Sequence, residues 1–263
     1  MAVPTKTILE TEVVGKTFEM AVCLCYDIPY QGPFKYSMDK AIALADRLRS
    51  SAIYQFFPRE CVHTAAKGHP YDFTSLTDPQ VHLSCKSSKI TNSNPNLAPH
   101  SIGQASLKNF TKRMGIQVPS HPDPDASLED VHEFTKIYLM YYIQSEDNLF
   151  GILDRCIQNT FDCPILLYNE KKDTIEYIQM LRPIDWASVS QAISWSLSPE
   201  EWGNSSSMRL GKTSVLEVQF HSRSRKNMAI RWNVYNLIKM FPNHFSIINL
   251  EKYLETIVSI NID

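Results

Sequence analysis

Pro70-Tyr71-Asp72, followed by His82-Leu83-Ser84-Cys85-Lys86, decides how this chain folds. An aspartate leaves a proline-containing turn, and Thr77-Asp78-Pro79 supplies a second turn before a segment that alternates as a half-buried strand should. Two strands joined in this way place Asp72 and Lys86 on neighbouring strands with converging side chains. A carboxylate in such a corner holds a divalent cation, and an ammonium sits beside the water that the cation activates. A strand-end lysine alone is ordinarily just solvated. Three features give this one weight: the Pro-Tyr-Asp turn before it, the helical Glu19 upstream, and Ala98-Pro99-His100-Ser101-Ile102-Gly103-Gln104 downstream.

Working outward, Phe18 to Leu24 carries apolar residues at helical spacing, with Thr17 as the expected N-cap and Glu19 in the first turn. Glu19 has two readings: a carboxylate that suits a helix N-terminus, or a further acid aimed at the site. Residues 38–50 read as an amphipathic helix with Ala41, Leu44, Ala45 and Leu48 on one face. Gly68-His69-Pro70 breaks the chain before the site, and 89–99 reads as a polar loop. Residues 102–106 are expected to open a helix running to about Met114, and 118–125 is the best linker candidate. Ser127 with Asp130 resembles a capping box, with helical pattern continuing to about Asn159. Residues 164–168 and 174–178 flank a polar turn and predict a hairpin, 215–220 a strand, and 228–241 a closing amphipathic helix. The order predicts an α/β fold with a mixed sheet flanked by helices.

With 263 residues there is material for one substantial core, or a core with an appended lobe. The formal charge of −2 argues against a polycation that coats nucleic acid, but leaves room for a local basic cleft. The six cysteines form no CxxC and no zinc-type spacing with histidine, so they read as small apolar core residues of a reduced, intracellular protein. The N-terminus has no basic region followed by an apolar run, so a secretory signal is not expected and a cytoplasmic location is.

The Asp72 turn, the Ser84-Cys85-Lys86 strand, the Gly15-x-x-x-Glu19 helix and the Pro99-to-Gln104 segment together resemble the PD-(D/E)XK nuclease superfamily, and within it the type II restriction endonucleases. The likeness covers roughly residues 15–113. It implies a restriction-endonuclease-like core in residues 1–120, with later strands completing the sheet. Residues 121–263 would serve DNA recognition and dimer contacts, in one compact domain with the first part. It also implies Mg²⁺, with Mn²⁺ able to substitute, held by Asp72, Glu19 and the Cys85 carbonyl. Lys86 would act on the attacking water, and Gln104 would orient water or start a helix. The chain departs from the pattern at Ser84, where a second acid is expected. Glu19 or the Cys85 carbonyl could make up the loss; Asp78 is a weaker substitute for Asp72. An alternative constellation is Asp162 with Glu217 and Gln219, although these are far apart for a single hairpin.

Double-stranded DNA as partner calls for phosphate contacts and base readout. The densest basic stretch is His221, Arg223, Arg225 and Lys226, with Arg209, Lys212 and Arg231 near in sequence. Lys89, Lys108, Lys112 and Arg113 make a second group with Lys86. Two identical sites for a two-fold symmetric cut would make the protein a homodimer. Two other readings stay open: a repair or recombination nuclease of the junction-resolvase kind, and a catalytically silent DNA-binding protein, the latter motivated by Ser84.

Overall fold

The computed structural model describes residues 10–65, 69–88, 94–100, 103–221 and 227–253. In chain order these form α1 (Thr11–Tyr26), α2 (Met38–Arg49), α3 (Ile53–Phe56), β1 (Cys61–His63), β2 (Phe73–Ser75), β3 (His82–Ser88), β4 (Asn96–Leu97) and β5 (Gln104–Ser106). Helices α4 (Leu107–Met114), α5 (Leu128–Tyr142) and α6 (Glu146–Phe161) follow, then β6 (Ile165–Asn169), β7 (Thr174–Met180), β8 (Ile193–Trp195), β9 (Ser205–Leu210) and β10 (Thr213–His221). The last elements are β11 (Asn227–Asn233), α7 (Val234–Met240) and β12 (Phe245–Asn249). The protein is mixed α/β, as expected. Among the described residues, no helix is long and apolar enough to cross a membrane.

The chain divides into two compact units that are not successive halves of the sequence. The first comprises 1–95, 163–180 and 245–263; the second comprises 96–162 and 181–244.

In the first unit a six-stranded sheet runs β1-β2-β3-β6-β7-β12. Its one parallel pair among these is β3 with β6, which sets Ser84 opposite Ile165 and Lys86 opposite Leu167. Val14, Phe18 and Val22, spaced one helical turn apart on α1, join Leu83, Cys85, Leu166 and Tyr168 in the core. The ring centroids of Phe18 and Tyr168 lie 5.6 Å apart. Helix α2 adds Ala41, Leu44, Ala45 and Leu48, the face its periodicity predicts. The 165–178 hairpin forms as expected, with Asp173 in the left-handed region at its turn.

Helix α1 begins earlier than its pattern suggests, with Glu10 as N-cap. Thr17 is therefore no cap. It lies buried inside the helix, where its hydroxyl donates to the Val13 carbonyl at 2.6 Å and accepts from the Ser37 amide at 3.0 Å. Glu19 consequently falls in the middle of α1, too far from its start for the carboxylate to favour the helix N-terminus.

The second unit is built on a sheet ordered β4-β11-β10-β9-β8, with β5 also paired to β11. Two expected helices form only in their later residues, and the residues before them are strands. Residues 104–106 pair with 227–229, and helix α4 starts only at Leu107, capped by the Ser106 hydroxyl. Residues 227–233 pair along β10, and only 234–240 are helical. Met228, Ala229, Ile230 and Trp232 are buried on both faces of β11, so their spacing carried no clear period, and cross-strand pairing decided the outcome. The Ser127–Asp130 capping box forms in full. Residues 118–125 are coil within this unit.

Gly15 of α1 faces β3: a Cβ there would meet Ser87 Oγ at 3.6 Å, an ordinary contact. Gly15→Ala should therefore stabilise the chain by up to about 1 kcal/mol through helix propensity. Gly15→Leu should destabilise it by about 1–3 kcal/mol by pressing α1 off β3. Urea unfolding measured on both variants checks the pair.

Candidate functional site

Strand β2 pairs with β3 only at Phe73↔Leu83 and Thr74↔His82. The backbone of Asp72 stays tied to the β1 side, where its carbonyl accepts from the Thr64 amide at 2.8 Å. Its side chain turns the other way, onto the edge of β3 that β2 has left. There Oδ2 accepts from the Cys85 amide at 2.6 Å and from Ser84 Oγ at 3.1 Å. Lys86 Nζ lies 3.7 Å from the same oxygen. Ser84 and Lys86 share one face of β3 by the two-residue repeat, while Cys85 turns into the core. Sequence spacing thus anticipated the convergence of Asp72 with Lys86.

Glu19 reaches this corner from α1. Lys16, one helical turn before it, donates to both its carboxylate oxygens at 2.7 and 2.8 Å. Its Oε2 also lies 3.6 Å from His63 Nε2 on β1, and His63 is the Cα partner of Phe73, the residue after Asp72. The Glu19 side chain is 9% exposed, against 15% for Asp72 and 29% for Lys86, so the site is a recess open chiefly at the lysine. Burial drives the Cys85 thiol well above its ordinary range; the Asp72 and Glu19 charges push it the same way and Lys86 opposes them. Tyr30 is raised by burial first, then by Glu19, with Asp72 contributing.

The donor set suits a hard divalent cation, which takes carboxylate and carbonyl oxygens. Asp72 keeps Oδ1 out of the hydrogen bonds just described, all of which use Oδ2. The Cys85 carbonyl is presented by strand geometry. In an extended strand a residue's N–H and C=O point to the same side. The Ser84 amide bonds Pro164 on the β6 side at 3.0 Å, so Cys85 faces the opposite, open edge, as its bond to Asp72 requires. Asp72 and the Cys85 carbonyl could hold such an ion, and Glu19, whose charge acts on Cys85, is the further carboxylate that could join them. Ser84 contributes a donor to Asp72, not a ligand charge.

Other candidates lie elsewhere. Gln104 is exposed on β5 of the second unit and opens no helix; the partners of Asp72 named above all come from the first unit. Asp78 is exposed in its turn, bonding the Gln80 amide. Asp162 caps the end of α6, 3.9 Å from His100 Nε2. Glu217 accepts from Gln219 at 2.8 Å in mid-strand, opposite Arg231 on β11 and Ser207 on β9. Arg209 and Lys212 are exposed at the β9–β10 turn, while His221 ends β10. A nine-residue strand separates those ends by about 27 Å, so Arg209 and Lys212 lie at the opposite end of β10 from His221. Lys108, Lys112 and Arg113 are exposed along α4. Lys89, Arg223, Arg225 and Lys226 lie outside the described residues.

Sequence reasoning missed Lys16 and His63. Lys16 stands three residues before Glu19, a helical pairing that becomes visible once α1 is known to start before it. His63 ends the alternating segment Cys61-Val62-His63. All six cysteines are buried free thiols.

Over 240 residues, 91% of this chain, the sequence is 32% identical to CviAII, a type II restriction enzyme of Paramecium bursaria Chlorella virus 1. The chain spans 63% of that protein's length. No family model matches the chain, and no solved structure matches it.

Ser84→Ala removes a buried donor to a charged acceptor while leaving the Cys85 amide on Asp72. It should lower stability by about 1.5–3 kcal/mol, read from denaturant unfolding, without loss of native secondary structure by circular dichroism.

Proposed function

We propose that the chain is a type II restriction endonuclease, a hydrolase that cuts double-stranded DNA at a specific sequence with a divalent metal ion, Mg²⁺ being the expected one. The observation that carries this reading is the meeting of Asp72, the Cys85 backbone and Lys86 at the open edge of β3. The similarity to CviAII across most of the chain supports it. The superfamily is the PD-(D/E)XK nucleases, with the first unit's sheet and α1 as the restriction-endonuclease-like core.

When bound, the cation polarises a phosphoryl oxygen and acidifies a water. Asp72 holds its position because two donors fix Oδ2. Glu19 adds the second carboxylate that Ser84 does not supply. Lys86, the most open of the three charged groups, faces the substrate side; it orients the attacking water and offsets charge gathering on phosphorus. The water oxygen bonds phosphorus as one ester P–O bond breaks in line; the water gives up a proton to solvent, and the departing sugar oxygen takes one from solvent to leave as a hydroxyl.

The Ser205, Ser207, Glu217, Gln219 and Arg231 face of the second sheet is half-exposed and polar, a surface suited to base edges and phosphates. Lys108, Arg209 and Lys212 would add phosphate contacts. A homodimer, two copies on a two-fold site, follows from cutting both strands.

Asp72→Ala and Lys86→Ala should each abolish cleavage of long unmethylated DNA in Mg²⁺ while retaining DNA binding in a gel-shift assay; full activity in either variant rejects the assignment. Discrete bands from the wild type support a restriction enzyme. Cutting confined to branched junctions supports a resolvase-like nuclease instead. Binding with no cleavage in Mg²⁺ or Mn²⁺ supports the silent DNA-binding protein that Ser84 raises.

A further inference from the structure

The His63 side chain is fully enclosed, and its Nε2 has no hydrogen-bond partner. Its ring is clamped between Tyr30, stacked at 5.0 Å and 16°, and Phe73 at 4.9 Å. Nδ1 accepts from the Gln31 backbone amide at 2.9 Å. A backbone amide is only ever a donor, so the ring's proton sits on Nε2. That N–H faces Glu19 Oε2 across 3.6 Å, just beyond a formed hydrogen bond. A buried donor left unmade is costly, and two aromatic rings and an amide hold this one in place.

Lys16 now engages Glu19 through both oxygens. An ammonium and a divalent cation repel each other and compete for the same lone pairs, so Lys16 is not the group that presents Glu19 to a cation. A neutral imidazole has no such conflict. We infer that His63 is the positioning residue for Glu19: its Nε2–H closes onto Oε2 when the carboxylate leaves Lys16 for a divalent cation. Groups that hold a ligand carboxylate from behind act in this way. The inference rests on the proposed function, because it takes Glu19 as a ligand.

The test is calorimetric titration of Mn²⁺ into the full chain without DNA, beside the Mg²⁺ concentration for half-maximal cleavage. His63→Asn keeps an acceptor for the Gln31 amide but is too short to reach Glu19. His63→Gln puts an amide N–H where Nε2 stood. His63→Asn should weaken Mn²⁺ binding about tenfold or more and raise the Mg²⁺ requirement in step, and His63→Gln should restore most of both. Wild-type binding in His63→Asn, or equal weakening in both variants, overturns the inference. One readout needs no variant: the His63 Nε2–H resonance should move downfield when Mg²⁺ is added, and an unmoved signal also overturns it. If Asp72→Asn loses Mn²⁺ binding and His63→Asn does not, only this inference fails. If the wild type binds no Mn²⁺, the nuclease reading fails with it.

Discussion

The carboxylate of Asp72 closing the open edge of β3 is the contact on which the rest of this corner depends. A strand paired on one side only must satisfy its outward amides by other means. β6 holds β3 in parallel register and takes the Ser84 amide through Pro164, which leaves Cys85 facing outward. β2 stops pairing at Phe73, so Asp72 supplies through its side chain the acceptor that a further strand residue would have supplied through its backbone. One hydrogen bond thus ties the carboxylate to the strand, turns the Cys85 carbonyl toward the same space, and leaves Lys86 on the adjoining face.

Each acid in the corner carries its own lysine: Glu19 with Lys16, and Asp72 with Lys86. Both carboxylates are mostly enclosed, and an enclosed carboxylate without a counter-charge is strongly disfavoured. The two pairs differ in closeness. Lys16 grips Glu19 at hydrogen-bonding distance with both oxygens, whereas Lys86 stands off Asp72 at 3.7 Å and is the more exposed lysine. The first arrangement is that of a neutralised acid, the second that of an ammonium with room for another group beside it.

Local signals were legible where one face of an element met water. The Asp72–Lys86 pairing follows from a turn and a two-residue repeat, the α2 face from its four-residue repeat, and the Ser127 cap from the residues that make it. Legibility failed where both faces are buried. β11 looked helical because Met228, Ala229, Ile230 and Trp232 are apolar whichever way they point, and only pairing with β10, β4 and β5 makes them a strand. It failed also where a polar residue serves a distant partner. Thr17 resembles a cap, yet its hydroxyl is spent on Val13 and Ser37. His63 gave no signal because its partners, Gln31, Tyr30 and Glu19, are brought to it by the fold alone.

Ser84 explains why the corner needs a helix at all. An acid at that position would be carried on a strand pinned by β6, its direction fixed by the same pairing that fixes Lys86. A serine there instead spends its hydroxyl on Asp72, steadying one carboxylate and adding no charge. On the proposed reading the second charge must then come from Glu19, at the end of a longer side chain on a separate element that packs against β3 through Val14, Phe18 and Val22. A ligand carried that way has more rotamer freedom to lose on binding an ion. The rigid, tautomer-fixed imidazole of His63 stands where that freedom would be curbed, so the substitution on the strand and the buried histidine behind the helix belong to one arrangement.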